Sequence, residues 1–366
     1  MGKLKIHSAE VANEISKWTR VISQNDLEKS AVYKEKIQNL LKNTGEDREV
    51  LLYYQLVDGR HEMLLGNIEK ANQIMKSVGT LDEKADDIIN FYFYFYKGQY
   101  AAYVKKYDEA ISFYKIAEQR LKRVNEDLEV GTFHHKVASI YYELKQNFIS
   151  INHIKKAIDT FKAHEEYTAQ AIDSLILHAS NCIDLLQFDE AEEKYQEALE
   201  KSKRINNEVL IGKCYHNLAV LYYAKPDYEK SAQYAKKGMS IQIHRDNSHY
   251  FIQSLYVLAN ALVHLGDHEA KEYIKEGIQY SCDIQNNEYI VKFEILDLMC
   301  ENSGAADVFS EKLDYIEKNR LYVELEDLSE QISKYFKERN DYQNAIRFLE
   351  KKFDAQILQK KVEVIL

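Results

Sequence analysis

The hydrophobic pattern is plainest near the start of the chain. Between residues 46 and 65, Val50, Tyr54, Val57, His61 and Leu64 fall on one side of a helix and form an inward stripe. The opposite side carries Arg48, Leu52, Gln55, Gly59 and Glu62, with Leu51 on its flank. That mixed surface suits a protein partner, although a solvated bundle face has the same composition. Two more helices are predicted before it, at about 8–23 and 26–43, separated by Gln24-Asn25-Asp26 and Asn43-Thr44-Gly45, which carry ordinary start and stop signals. Residues 1–66 therefore read as a three-helix bundle, and 67–87 as a helical linker.

Beyond the linker the pattern repeats. Tyr107-Asp108-Glu109-Ala110 with Tyr114 and Ala117 recurs as Phe188-Asp189-Glu190-Ala191 with Tyr195 and Ala198. The leading aromatic, or its substitute, falls at Tyr107, Phe148, Phe188, Tyr228, His268 and Tyr342, at intervals of 41, 40, 40, 40 and 74 residues. A small residue stands nine positions earlier each time, at Gly98, Ser139, Ala179, Ala219, Ala259 and Ser333. This register resembles the tetratricopeptide repeat, in which aromatic knobs on the second helix of a hairpin fill holes beside small residues on the first. The usual period is about 34 residues, so the helices should each be lengthened by nearly a turn. The pattern predicts about seven helix pairs over 88–366, at 88–123, 129–163, 167–204, 208–244, 248–283, 287–319 and 322–362, with the sixth degenerate. The fold class is all-α: a bundle followed by a repeat superhelix.

Composition narrows the function. One proline and twelve glycines in 366 residues leave little to punctuate a sandwich, a barrel or a phosphate-gripping loop. The net charge is −10, and residues 1–66 balance ten basic against ten acidic side chains, so no basic head for nucleic acid is present. Met1 to Ile6 has no signal-peptide stretch, Ile6 stands where a myristoylation motif needs Ser or Thr, and no apolar run is long enough to span a membrane. A cytoplasmic protein without membrane contact is expected. Cys182, Cys214, Cys282 and Cys300 lack metal-like spacing and read as reduced thiols. Most of the 28 tyrosines read as repeat knobs. His264 and His268 stand four apart but lack a third ligand, and His134-His135 reads as packing or a rim contact, so no metal or cofactor is expected.

The order of several local motifs resembles the Rap family of response-regulator aspartate phosphatases and antagonists. They are Asn13-Glu14-Ile15-Ser16-Lys17-Trp18, Leu51-Leu52-Tyr53-Tyr54-Gln55-Leu56 followed by Arg60-His61, Phe91 to Gly98, Phe133-His134-His135-Lys136-Val137-Ala138, and Tyr141-Tyr142 with Lys145-Gln146. The resemblance covers the whole chain. It implies a bundle that holds a response regulator and a repeat domain that binds a short Phr signalling peptide, in circuits controlling sporulation or competence. Some members remove phosphate from a phosphoaspartate; others only sequester their regulator.

In the phosphatase members a Gln at the start of the third helix orients the attacking water. The matching stretch here is Gly45-Glu46-Asp47-Arg48. A carboxamide offers an acceptor oxygen, whereas guanidinium has donors only, so Arg48 is badly suited to activate water. Gly59 replaces an aromatic that packs on the partner, and Gln55 is the candidate to substitute for the missing Gln. The resemblance thus implies a regulator-binding set of Glu46, Asp47, Arg48, Leu51, Leu52, Gln55 and Gly59 in an antagonist, with an active phosphatase of a sporulation phosphorelay regulator as the alternative. For the peptide, it implies Asp184 for a cationic group and Asn217 for the backbone, with Asn181 and Leu221 from the same walls.

Overall fold

The computed structural model describes residues 8–24, 26–43, 47–79, 87–121, 127–301 and 305–364. Among them every regular element is helical, in agreement with the all-α expectation. Four helices come first: α1 (Ser8–Ser23), α2 (Leu27–Leu41), α3 (Arg48–Leu64) and α4 (Ile68–Ser77). Helix pairs follow: α5 (Asp87–Tyr103) with α6 (Tyr107–Leu121), α7 (Asp127–Glu143) with α8 (Asn147–Lys162), α9 (Thr168–Asp184) with α10 (Phe188–Arg204), and α11 (Glu208–Ala224) with α12 (Tyr228–Met239). After the short α13 (Gln242–Asp246) come α14 (Ser248–Leu265) with α15 (Ala270–Asp283), α16 (Asn287–Cys300) with α17 (Ala306–Lys318), and α18 (Tyr322–Glu338) with α19 (Tyr342–Val364). The chain divides into two compact units, residues 1–142 with 148–171, and 143–147 with 172–366.

In the first unit, α1, α2 and α3 are joined by a buried polar chain. The Trp18 indole donates to Ser30 Oγ at 2.9 Å, and Ser30 Oγ meets His61 Nδ1 at 2.8 Å. Tyr54 and His61 flank the Trp18 ring at 5.9 and 5.4 Å. Two helix starts are capped by aspartates: Asp26 accepts from Lys29 N, and Asp47 from Glu49 N and Val50 N.

The hairpins explain how a glycine-poor chain makes so many tight turns. Lys105, Lys145, Leu186, Asn206, Gln285, Arg320 and Asn340 all take the left-handed conformation, with φ between 51° and 60°. This is the position that glycine commonly fills after a helix. A return hydrogen bond closes the turn, such as Lys106 N to Ala101 O and Gln187 N to Cys182 O, both 2.8 Å.

Small residues meet aromatic rings as the repeat pattern leads one to expect, with second-helix rings over first-helix glycines in two pairs and a ring of the following pair over Gly277 in a third. Tyr114 lies over Gly98, Phe161 over Gly131 and Phe293 over Gly277, so closely that a methyl group at any of these glycines would overlap the ring. Among the leading positions Tyr107, Phe188 and Tyr228 are half-buried, and three stand out in solvent. Phe148 is 80% exposed and Tyr342 58% exposed, and the His268 side chain stands in solvent. They lie at or near the starts of second helices, at the edge of the hairpin; Tyr114 and Tyr195, seven residues beyond the leading aromatic, are buried rings.

Replacing Gly277 with Ala should lower stability by about 1–3 kcal/mol, because the Phe293 ring must move out of a packed layer. Urea unfolding followed by circular dichroism would show a lower midpoint with an unchanged slope.

Candidate functional site

Helix α3 presents its first two turns to solvent. Arg48, Glu49 and Leu51 are exposed, while Leu52 and Gln55 are half-buried. Asp47 is spent as the cap of the helix, and Ser8 and the Val50 amide hold its carboxyl below the usual range. Glu46 lies outside the described residues. Arg48 therefore stands in the first turn of the surface, and Gln55 follows seven residues on, about 10.5 Å along the axis.

The second half of the predicted outer face is not exposed. Gly59 is covered by Met75 and Ile74 of α4, and Glu62 is buried. Helix α4 returns across this side of α3, which the periodicity of α3 alone could not reveal. Glu62 there accepts from Lys34 at 2.6 Å and Asn67 at 2.9 Å, with Lys70 at 2.8 Å. Burial alone would raise its pKa, but these partners overcome it and bring the carboxyl down to about 2.

One turn away, Arg60 points into the interior with 6% exposure. Its Nη2 donates to Ser23 Oγ at 2.7 Å and its Nη1 to Tyr96 OH at 3.4 Å, with a Glu129 carboxylate oxygen at 3.6 Å. Ser23 in turn donates to Glu129 at 3.1 Å. Residues from α1, α3, α5 and α7 thus share one charge-paired centre. Burial opposes the charge on Arg60, but Tyr96 and Glu129 keep it protonated. Sequence reasoning noted the Arg60-His61 pair without locating its partners, because Glu129 is 69 residues away.

In the second unit, Asp184 and Asn217 lie beside the last turn of α9. Asn217 donates to Lys213 O at 2.8 Å, and its carbonyl oxygen is approached by Ser180 Oγ at 3.4 Å and Tyr195 OH at 3.5 Å. Both side chains are partly accessible. Asn181 and Leu221 are not: each has no exposed surface, and Asn181 donates to Leu177 O within its own helix. They belong to helix packing rather than to a groove wall. Lys145 sits 3.4 Å from Asp184 and is also drawn towards Asp327 of α18. Burial raises the pKa of both Asp184 and Asp327, while Lys145 pulls both down. Two carboxyls therefore flank Lys145, with Lys292 also acting on Asp327 and Asn147 on Asp184, and the place is acidic. The sequence offered Lys145 among its motifs, but Asp327 had no local signal.

Polar residues continue along the same unit. Tyr256 OH donates to Gln331, and Gln331 donates to Asn260 at 2.8 Å, joining α14 to α18. Asn260 and Gln331 line a cavity of ≈ 630 Å³ with Tyr228, His264, Tyr335 and Glu338. His264 stacks on Tyr228 at 4.5 Å and meets Tyr223 OH at 3.0 Å, so its place is explained without a metal. The four cysteines are free, and burial pushes the thiols of Cys182 and Cys214 up to about 11 and 12. No described helix is long and apolar enough to cross a membrane.

Bundle, hairpins and buried polar groups together define an all-helical repeat protein with a separate N-terminal helical face. Residues 5–66 match the family described as response regulator aspartate phosphatase H, N terminal. Response regulator aspartate phosphatase I of Bacillus subtilis (strain 168) is 28% identical over 374 residues, covering 100% of this chain and 95% of the relative. The Rap conjugation gene regulator of plasmid pLS20, solved in complex with the Phr* peptide, is 26% identical, with a TM-score of 0.71 and 98% of each chain covered. A Rap protein complexed with competence and sporulation factor shares the fold at a TM-score of 0.90, over 97% of this chain and 99% of the other, at 24% identity. Over its whole length the chain is thus similar to Rap proteins, and its residues 5–66 carry the match to their N-terminal family model.

The partners of Glu62 give the first unit a defined acid response. A carboxyl whose folded pKa is depressed stabilises the fold above its unfolded pKa and loses that contribution as pH falls through the folded value. Stability of the first unit should therefore decline between the ordinary value of 4.5 and about 2. A Glu62→Gln variant, less stable at neutral pH, should lose less over that window in urea titrations.

Proposed function

We propose that this protein binds a response regulator through the exposed start of α3, releases or refuses it under control of a short peptide held in the second unit, and acts as an antagonist rather than a phosphatase. The relatives' names support the regulator: curated relatives include both aspartate phosphatases and proteins described only as regulatory, such as Regulatory protein RapK of Bacillus subtilis, 28% identical over 372 residues. Crystal structures of Rap proteins with peptides support the second half of the reading. The cell compartment in this reading is the cytoplasm.

Arg48 carries the distinction. It is exposed in the first turn of α3, where it can reach a partner's phosphate but cannot accept a proton from water. Leu51, 41% exposed, and the half-buried Leu52 give the same surface an apolar component. Gly59 cannot serve as an anchor, since Met75 covers it. The docking surface in this reading is therefore short, and runs from Arg48 to Gln55.

For the peptide, Asp184 with Asp327 is the acidic place that would take a cationic residue or terminus, and Asn217 the backbone partner. The ≈ 630 Å³ cavity beside Asn260 and Gln331 offers room for further residues in the same unit.

Two substitutions test these assignments. Arg48→Gln should raise the rate of phosphate loss from a bound phosphorylated regulator at least tenfold, roughly 1.4 kcal/mol of barrier, measured by following labelled phosphoaspartate; an unchanged rate would remove Arg48 as the reason for inactivity. Asn217→Ala should abolish the peptide response while leaving the regulator complex intact, measured by calorimetry with each partner; unchanged peptide affinity would refute its role.

A further inference from the structure

Helices α6, α7 and α8 bring Glu118, His134 and His153 to one point in the first unit, and nothing in the proposed function uses them. His134 and His153 are buried, and their Nδ1 atoms face each other at 3.0 Å. Only one of the two can carry the proton between them, so one ring donates and the other accepts. Glu118 is exposed on α6 and turns a carboxylate oxygen towards the pair; the three donor atoms lie within 4.8 Å of one another. A cavity of ≈ 20 Å³ opens beside them, lined by Glu118, His153, Tyr141 and Lys115 among others. That is room for about one water molecule.

We propose that Glu118, His134 and His153 form a binding site for a zinc ion, with two imidazole nitrogens, one carboxylate oxygen and a water from the adjoining cavity as ligands. Two histidines and a carboxylate, with one position left to water, are a common zinc donor set. Zn–N bonds of about 2.0–2.1 Å in a tetrahedron put two nitrogens about 3.3 Å apart. The Nδ1 atoms are already 3.0 Å apart, so the rings need separate only by a few tenths of an ångström. Binding puts the metal on both Nδ1 atoms, so the ring that held its proton on Nδ1 holds it on Nε2 instead; both rings stay neutral and no proton is lost.

The surroundings favour the neutral, ligating form of both rings. Burial, then His153 and Lys156, brings His134 down to about 3; burial also lowers His153, against the opposing pull of Glu118. Lys156 and the cavity-lining Lys115 oppose a cation, and Tyr141, stacked on His153 at 6.1 Å, closes one side. A second three-donor cluster, His178, Cys182 and Glu190, is less suited, because burial holds its thiol protonated up to about 11.

The test is a titration of the full-length protein, stripped with chelator, with Co(II) and then Zn(II). The expected result is one Co(II) per chain with tetrahedral absorption and no thiolate charge-transfer band, displaced by Zn(II). Glu118→Gln, at an exposed position, should weaken binding by more than the about tenfold that loss of an outer-shell partner costs. His153→Ala should abolish it, and Lys156→Ala should tighten it. Absence of bound Co(II) and Zn(II) in the folded protein would overturn the proposal. So would binding that is indifferent to Glu118→Gln, or a thiolate band that Cys182→Ser removes.

Discussion

A guanidinium group with 6% exposure decides how the first unit is built. Arg60 cannot be left unpaired inside a protein, where breaking one partner of a buried ion pair costs about 3–5 kcal/mol. Its partners come from three other helices: Ser23 ends α1, Tyr96 lies in α5 and Glu129 begins α7. Satisfying Arg60 fixes the rotation of α3 about its axis. With Arg60 inward and Trp18, Ser30 and His61 joined on the adjacent side, the start of α3 is left facing out. The exposure of Arg48 and Leu51 is thus a consequence of where a different arginine is buried.

The hairpins obey a simpler constraint. A lone pair of helices cannot bury its apolar face, and stacking brings backbones close only where one helix lacks a side chain. Glycine beneath Tyr114, Phe161 or Phe293 meets that need, and left-handed Lys, Leu, Asn, Gln and Arg residues close the turns where glycine might have stood. Such residues cost roughly 1–2 kcal/mol each in that conformation, a cost the packed layers must offset. Within the second unit the same stacking places carboxyls from distant parts of the chain, Asp184 and Asp327, around Lys145.

Much of this was legible in the sequence because helices and their pairing are local properties. The first three helices and the seven pairs fall within a few residues of the periods and break signals that predicted them. What the sequence concealed was long-range. The outward face of α3 was drawn too long, since nothing in its own period announces that α4 will cover Gly59 and Glu62. The repeat register located the second helices but did not say which of their aromatics, the leading one or the one seven residues on, would be buried, because spacing identifies a position and not its depth. Asn181 and Leu221 lie three and four residues from Asp184 and Asn217 on the same helices, and an offset of only about 60° and 40° round the axis is enough to bury them. Asp327 and the Glu118, His134 and His153 group needed three dimensions to be seen at all.

The central claim is that a helical face with Arg48 in its first turn holds a regulator without acting on it. The most direct measurement is to mix the purified protein with a panel of response regulators, phosphorylated and unphosphorylated, recording complex formation and phosphate loss in the same samples. Stable binding of at least one regulator with phosphate loss no faster than in its absence is the predicted result. Rapid dephosphorylation of a bound regulator would contradict the account, and would mean that Gln55 or another group supplies the water-orienting function denied to Arg48.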